Sequence, residues 1–280
     1  MSVDLELLDK PWGTPERTWT ADDAIVYALG VGAGGADAGV ELPFTTENSQ
    51  GHPQRVLPTF AIPLAAGTGP ILGDFDHGTI LHAEQSVTLH RALPVSGAAR
   101  TRSRVTAFHD KGKDALAVIE STLVDAADGQ ELAHSSSTLF LPGQGGFGGE
   151  RGTAPLWTRP DRTADHTVSD AIRPDQALLY RLSGDRNPLH SDPTVAHKLG
   201  FPRPILHGMC TYGFVGRALL RTVCDGDPDR FGGMTARFAA PVLPGQELTT
   251  DIWKDGDHIL FRARVGNTTV LDRGTFTPRA

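Results

Sequence analysis

The chain has 280 residues, 39% of them hydrophobic, a formal net charge of −7 and two cysteines, Cys210 and Cys224. That length and composition suit a globular protein of one large or two small domains, and two cysteines do not make a disulfide framework. No long basic run is present, so nucleic acid is not an expected partner; no apolar run approaches a membrane span, and the first ten residues carry four charges without an apolar core, so cytoplasm is the default expectation.

Taken in order, Thr18 to Leu29 starts with a cap signal and continues as a short helical pattern. The run Gly30-Val31-Gly32-Ala33-Gly34-Gly35 matches G-x-G-x-x-G formally, but no amphipathic helix follows it. A dinucleotide site is therefore rejected in favour of a turn. Val56 to Ala66 is apolar, with Pro58 and Pro63, and reads as a short buried helix starting near Pro58. From His82 the pattern turns to strands, with Ala99–His109, Leu116–Val124 and Glu131–Leu141 joined at Lys111-Gly112-Lys113 and Asp128-Gly129.

Gly143 to Gly152 is glycine-rich, and Ala154 to Pro174 is polar with three prolines, which marks a linker. The expected division is a first half over 1–142, a linker over 143–165 and a second half over 166–280. The second half repeats the plan. A short helix over Asp175–Leu182 leads into a bent loop, and Met209–Val223 is apolar enough for a central helix despite Gly213 and Gly216. Four strands follow: Thr235–Ala239, Glu247–Lys254, His258–Val265 and Thr268–Thr277. Echoes such as Tyr27-Ala28-Leu29 against Tyr180-Arg181-Leu182 support a duplication. A helix followed by antiparallel strands, twice, is an α+β pattern.

The loop Ser183-Gly184-Asp185-Arg186-Asn187-Pro188-Leu189-His190-Ser191-Asp192-Pro193 concentrates the chemistry. Gly184 and Pro188 bend it, so a carboxylate, an amide and an imidazole can converge, and Asp185 with His190 can act as an acid/base pair. Asp185 could instead be a turn residue, His190 a satisfied loop histidine, and Asn187 an Asx-turn residue. Ser191 is as good a helix cap as a site residue, and Ser183 reads as a packing or hydrogen-bonding residue behind Asp185. Pro204-Ile205-Leu206-His207-Gly208 opens into the apolar helix, whose first N–H groups are free for an oxyanion. His207 is read as fixing this loop, and Cys210 as packing, since nothing near it activates a thiolate. His190 and His207 have no third ligand at metal spacing, so no metal is expected.

These segments resemble the signature of the MaoC-like hydratases, specifically the (R)-specific enoyl-CoA hydratase 2 family. Tyr180, Leu182, Ser183-Gly184-Asp185, Asn187-Pro188-Leu189-His190 and Ala196 carry the match. It extends through His82-Ala83-Glu84-Gln85, Asp110-Lys111-Gly112, Gly143 to Gly149 and Ala236-Arg237-Phe238. The resemblance implies a double hotdog fold, each half a curved antiparallel sheet around one long helix, with the first half degenerate because it lacks an Asp-x-Asn-x-x-x-His equivalent. It implies a hydratase adding water to trans-2-enoyl-CoA, with Asp185, His190 and Asn187 handling the water and the Gly208 N–H as oxyanion donor. His82, Ala83, Arg186, Pro188, Leu189, Ser191 and Phe238 become candidate substrate contacts, although Phe238 could be plain strand core. Ala83 stands where the family usually has glycine. Lys111, otherwise an ordinary solvated lysine, becomes a candidate contact for a CoA phosphate. No cofactor is implied beyond the CoA thioester itself, and a homodimer is expected. A dehydratase on a carrier-protein thioester, a hotdog thioesterase and a non-catalytic acyl-CoA binder are the alternatives. Acyl length, branching and pathway, whether fatty acid, polyester or steroid side-chain metabolism, are left open.

Overall fold

In a computed structural model, residues 3–279 are described apart from 36, 38, 68, 154, 155 and 257. Eleven strands form one antiparallel sheet: β1 (Trp12–Gly13), β2 (Arg17–Trp19), β3 (Leu81–Leu89), β4 (Gly97–Asp110), β5 (Ala115–Asp125), β6 (Glu131–Leu141), β7 (His166–Ala171), β8 (Phe231–Phe238), β9 (Glu247–Asp255), β10 (His258–Val265) and β11 (Thr268–Pro278). The helices are α1 (Ala21–Gly30), α2 (Leu42–Thr45), α3 (Ala61–Ala65), α4 (Gln176–Tyr180), α5 (Pro193–Lys198) and α6 (Gly208–Val223). None among the described residues is long and apolar enough to cross a membrane.

The sheet order is β1-β4-β5-β6-β3-β8-β11-β10-β9-β7, with β2 also on β4. From the centre outward, β3-β6-β5-β4-β2 has the same connectivity as β8-β11-β10-β9-β7. The halves are therefore copies of one plan, joined where β3 pairs with β8 from Glu84↔Arg237 to Thr88↔Gly233. This is the double hotdog fold.

Local signals set most element boundaries. Thr20 caps α1 through a reciprocal box: its hydroxyl accepts the Asp23 N–H at 3.2 Å, and the Asp23 carboxylate accepts the Thr20 N–H at 2.8 Å. β7 lies inside the polar, proline-containing stretch. It is an edge strand with only Asp170 buried, so it lacks the apolar alternation that marks a half-buried strand. The short strands β1 and β2 escape detection for the same reason.

The expectation of one long helix in each half needs correction. α6 runs for sixteen residues and is buried almost throughout, whereas its counterpart is a 3-10 turn at Pro58–Phe60 followed by the five-residue α3. Beyond Ala65 the chain reads Ala-Gly-Thr-Gly-Pro, which offers no apolar periodicity to extend a helix. α6 serves both halves. A Cβ on Gly213 would lie 2.4 Å from Val31 of the first half, and one on Gly216 would lie 2.6 Å from Thr59. The two glycines that weaken the helical pattern are thus what lets the first half close on it.

One charge cluster is built into this contact. Arg217 of α6, with its side chain 3% exposed, meets Glu41 at 3.0 Å, donates to the Val31 carbonyl at 2.6 Å and pairs with Asp170 of β7. Arg221 reaches the same Asp170 at 3.0 Å. Both cysteines are buried and free; the Cys210 thiol, pushed well up by burial, donates to the Gly30 carbonyl at 3.3 Å. It is packing, as expected.

Candidate active site

α4 runs into a 3-10 turn at Arg181–Ser183, and Gly184 at φ +135° ends it. The chain then folds on its own side chains. Asp185 Oδ1 accepts the Asn187 N–H at 3.0 Å, and Asn187 Oδ1 accepts the Leu189 N–H at 3.0 Å, capping the turn Pro188–His190. Asn187 thus fills the Asx-turn role with its oxygen, which leaves its amide NH2 for a water. Ser191 is not the cap of α5. Asp192 is, accepting the Thr194 N–H at 2.7 Å, because Pro193 takes the first helical position.

His190 is buried and His207 almost wholly so. His190 Nδ1 lies 2.9 Å from the Ile205 carbonyl. A carbonyl only accepts, so Nδ1 carries the proton and Nε2 of the neutral ring offers its lone pair. The same argument makes His207 Nε2 the donor to the Asp185 carbonyl at 3.3 Å. His207 therefore holds the Asp185 backbone, as expected of a loop-fixing residue. The two rings stack at 3.8 Å and 30°. One donor atom from each of Asp185, His190 and His207 lies within 4.8 Å of the others. The expectation that the two histidines lack a third neighbour is corrected here, because the bent loop returns Asp185 to them.

Burial pushes the His190 ring below the ordinary imidazole range, against the Ile205 carbonyl and Asp185, which favour the cation. His207 is pushed down to about 4 by burial first and by His190 next. Both rings are neutral near pH 7, so a bare imidazole nitrogen stands beside an exposed carboxylate.

α6 starts at this point. The N–H groups of Cys210 and Thr211 turn back to the His207 carbonyl, while that of Gly208 has no acceptor among the described residues. Phe238 of β8 closes over it: a Cβ on Gly208 would stand 3.1 Å from its ring. Phe238 also packs on His82 of β3 at 4.9 Å. His82, pushed down to about 4 chiefly by burial, has an Nε2 without a partner. Ala83 is the residue skipped in the β3–β6 register between His82 and Glu84. Alternate strand residues face opposite sides, so His82 and Gln85 would ordinarily diverge; the bulge turns both to one side.

That side is a cavity of about 550 Å³. Asp185, Ser183, Tyr180 and His82 wall one end, α3 contributes Ile62, Pro63 and Ala65, and the inner faces of β4, β5 and β6 form the floor. Ser183 is therefore a wall residue, with its hydroxyl buried and without a partner among the described residues. Arg17, which the sequence does not single out, also lines the cavity and donates to the carbonyls of Pro63 and Ser183, the latter at 3.1 Å. It ties α3 to the loop that begins at Ser183. Only a lone arginine on a three-residue strand marked it, which is no signal.

Arg186 and Pro188 are exposed, Leu189 and Ser191 half-buried, and none of the four lines the cavity. Lys111 is half-buried in the β4–β5 turn, its ammonium donating to the Arg151 carbonyl. Asp110 accepts N–H bonds from Gly112 at 2.7 Å, Gly146 at 3.0 Å and Gly148 at 2.8 Å, which hold its carboxyl below the usual range. Two motifs far apart in sequence thus form one glycine-lined unit around Lys111. That turn lies three residues beyond Phe108, which is registered through Ala117 and Leu139 to His82. Lys111, the His82 level and the cavity floor therefore follow one another along the strands.

A duplicated hotdog with one Asp/His loop at the seam of its halves defines the MaoC-like class. The MFE-2 hydratase 2 N-terminal domain matches residues 18–143 and the MaoC like domain residues 156–274. A 3-hydroxyacyl-thioester dehydratase of Mycobacterium tuberculosis is 45% identical over 91% of each chain, and the peroxisomal enoyl-CoA hydratase 2 of Arabidopsis thaliana 37% identical over 92% of this chain and 90% of its own. The crystal structure of a MaoC-like dehydratase from Phytophthora capsici superposes with a TM-score of 0.87 at 30% identity, covering 99% of this chain and 98% of that one. The chain belongs to the MaoC-like hydratase 2 family.

Proposed function

We propose that the protein adds water reversibly to trans-2-enoyl-CoA thioesters, giving (3R)-3-hydroxyacyl-CoA. The observation that carries this reading is the pairing of a neutral imidazole and a carboxylate within 4.8 Å, beside a cavity and an unused N–H at the start of α6.

Water held by Asp185 and His190 attacks C3 as one of them takes its proton. The C3–O bond forms, the double-bond electrons move to C2 and the thioester oxygen, and a proton closes the C2–H bond. The Gly208 N–H stabilises the oxygen as charge builds. Asn187 steadies the water, and His207 keeps Asp185 in place. His82 and Phe238 flank the thioester, with Arg186, Pro188, Leu189 and Ser191 as outer contacts. The acyl chain enters the cavity under α3, and Lys111 meets a CoA phosphate at the opposite end.

The relative named as a thioester dehydratase supports reading the reaction in either direction. A carrier-protein substrate is the alternative handle, and it is distinguished by the Lys111 unit, which suits a nucleotide phosphate. The chemistry requires no metal, so a chelator should leave turnover unchanged. A homodimer and residence in the cytoplasm belong to the same reading, the first to be checked by light scattering. The decisive test is loss of enoyl-thioester absorbance across short, medium, long and bulky enoyl-CoAs. Release of free thiol in place of hydration would make the protein a thioesterase, and tight binding with no reaction would make it an acyl-CoA binder.

A further inference from the structure

The cavity floor carries a band of hydroxyls where an apolar lining is the simpler solution. On β5 the inward residues run Ala117, Ile119, Ser121, Leu123; on β6 they run Leu139, Ser137, Ser135, Ala133. Ser103, Ser121 and Ser135 are direct cross-strand neighbours, and Ser137 sits one pleat away against Ile119 and Gln85. All five polar residues line the cavity. Apolar side chains bound the band on both sides. In the second half, which α6 fills, β10 sends Phe261 and Ala263 into the main core.

The band's own hydrogen bonds do not satisfy it. Ser103 and Ser121 share one bond at 2.8 Å, and Ser137 donates to Gln85 Oε1 at 2.7 Å. The Gln85 amide donates one N–H to the Ser86 carbonyl at 2.6 Å, so its oxygen and one of its two N–H groups are engaged within the band. Ser135 is buried, and its hydroxyl has no partner among the described residues. Four hydroxyl protons are present and two are committed, which leaves two donors facing the cavity. A hydrocarbon chain laid on them would strand each without an acceptor, cut off from water. An oxygen on the ligand would accept them.

We infer that the acyl cavity selects enoyl thioesters whose chain carries a neutral oxygen function, a hydroxyl or a ketone, well away from the reacting carbons. The placement follows from the register: the Ser135 level is four residues from the Leu139–His82 level, or about 13 Å along the strands. This deepens the proposed function and rests on it for the meaning of the cavity. A site built to bond a ligand oxygen discriminates against the analogue that lacks it far better than an apolar pocket discriminates a methylene.

The test compares enoyl-CoAs of equal carbon number, one series unsubstituted and one carrying a hydroxyl or ketone at successive distal positions. The expected result is a kcat/KM at least tenfold higher for the oxygenated member at one range of positions. In Ser121→Val and Ser135→Val that preference should collapse or reverse. Equilibrium binding of the saturated acyl-CoAs, which cannot react, reads the same ratio without turnover. If no enoyl thioester is hydrated but the saturated oxygenated chains still bind preferentially, the hydratase reading fails and the cavity assignment stands. If plain chains are used or bound as well as oxygenated ones by the wild-type protein, or the serine variants lower both series equally, the inference is overturned while the hydratase reading survives.

Discussion

Asp185→Asn separates the chemistry from the architecture more cleanly than any other substitution in the loop. Asp185 uses Oδ1 to accept the Asn187 N–H at 3.0 Å and its own carbonyl to receive His207 at 3.3 Å. Asparagine keeps an acceptor oxygen of the same reach and leaves the carbonyl untouched, so the turn and the stacked histidines should persist. What disappears is the negative charge and the basic oxygen within 4.8 Å of the imidazoles. Loss of positioned proton transfer lowers rates by about 10²–10⁴, equivalent to roughly 3–5 kcal/mol of barrier. In the enoyl-CoA absorbance assay kcat should fall by that factor, with the melting temperature within a degree or two of wild type. His190→Gln should fall comparably, and the double variant less than tenfold further, because the two groups act on one water. Wild-type turnover in Asp185→Asn, or multiplicative losses in the double variant, would refute the pairing.

His82 and His207 are both held near 4 against an ordinary value of 6.5. The unfolded chain then binds more protons than the folded one between those values, so stability should fall as pH drops from about 6.5 to about 4, by up to about 3 kcal/mol per ring; urea midpoints that stay flat over that window would contradict it. Arg217→Met removes the buried cation and leaves Glu41 and Asp170 only the half-exposed Arg221, and should cost up to about 3–5 kcal/mol in denaturant titration; a loss below 1 kcal/mol would mean that Arg221 alone satisfies the cluster. Lys111→Ala should weaken turnover of CoA thioesters, less so at high salt, and barely touch a pantetheine thioester; equal losses on both would leave Lys111 an ordinary turn lysine. Residues 166–280 expressed alone would expose the β8 edge that β3 covers, and should be poorly soluble or inactive; a soluble, active fragment would show that the halves are independent.

The second half was the more legible of the two. Its helix and four strands carry strong periodicity, and the loop from Ser183 to Pro193 announces itself through Gly184, Pro188 and the polar residues between them. The first-half strands β3 to β6 were equally clear. Residues whose function depends on distant register were not. Arg17, Ser103, Ser121 and Ser135 each look like ordinary strand residues, and only cross-strand pairing brings them to one wall. The bulge at Ala83 is likewise invisible locally, because whether His82 and Gln85 share a face depends on how β6 pairs with them. The cap at Asp192 in place of Ser191 was readable in principle, since Pro193 marks the first helical position.

The brevity of α3 has a thermodynamic consequence. A duplicated fold begins with two equal cores, and here one copy holds a cavity of about 550 Å³ where α6 fills its twin. The copy that gave up its helix must borrow rigidity from the other, which it does through Gly213, Gly216 and Arg217 on α6. Amide hydrogens of β4 to β6 should therefore exchange by smaller openings than those of β8 to β11, and an occupant of the cavity should slow the first set selectively.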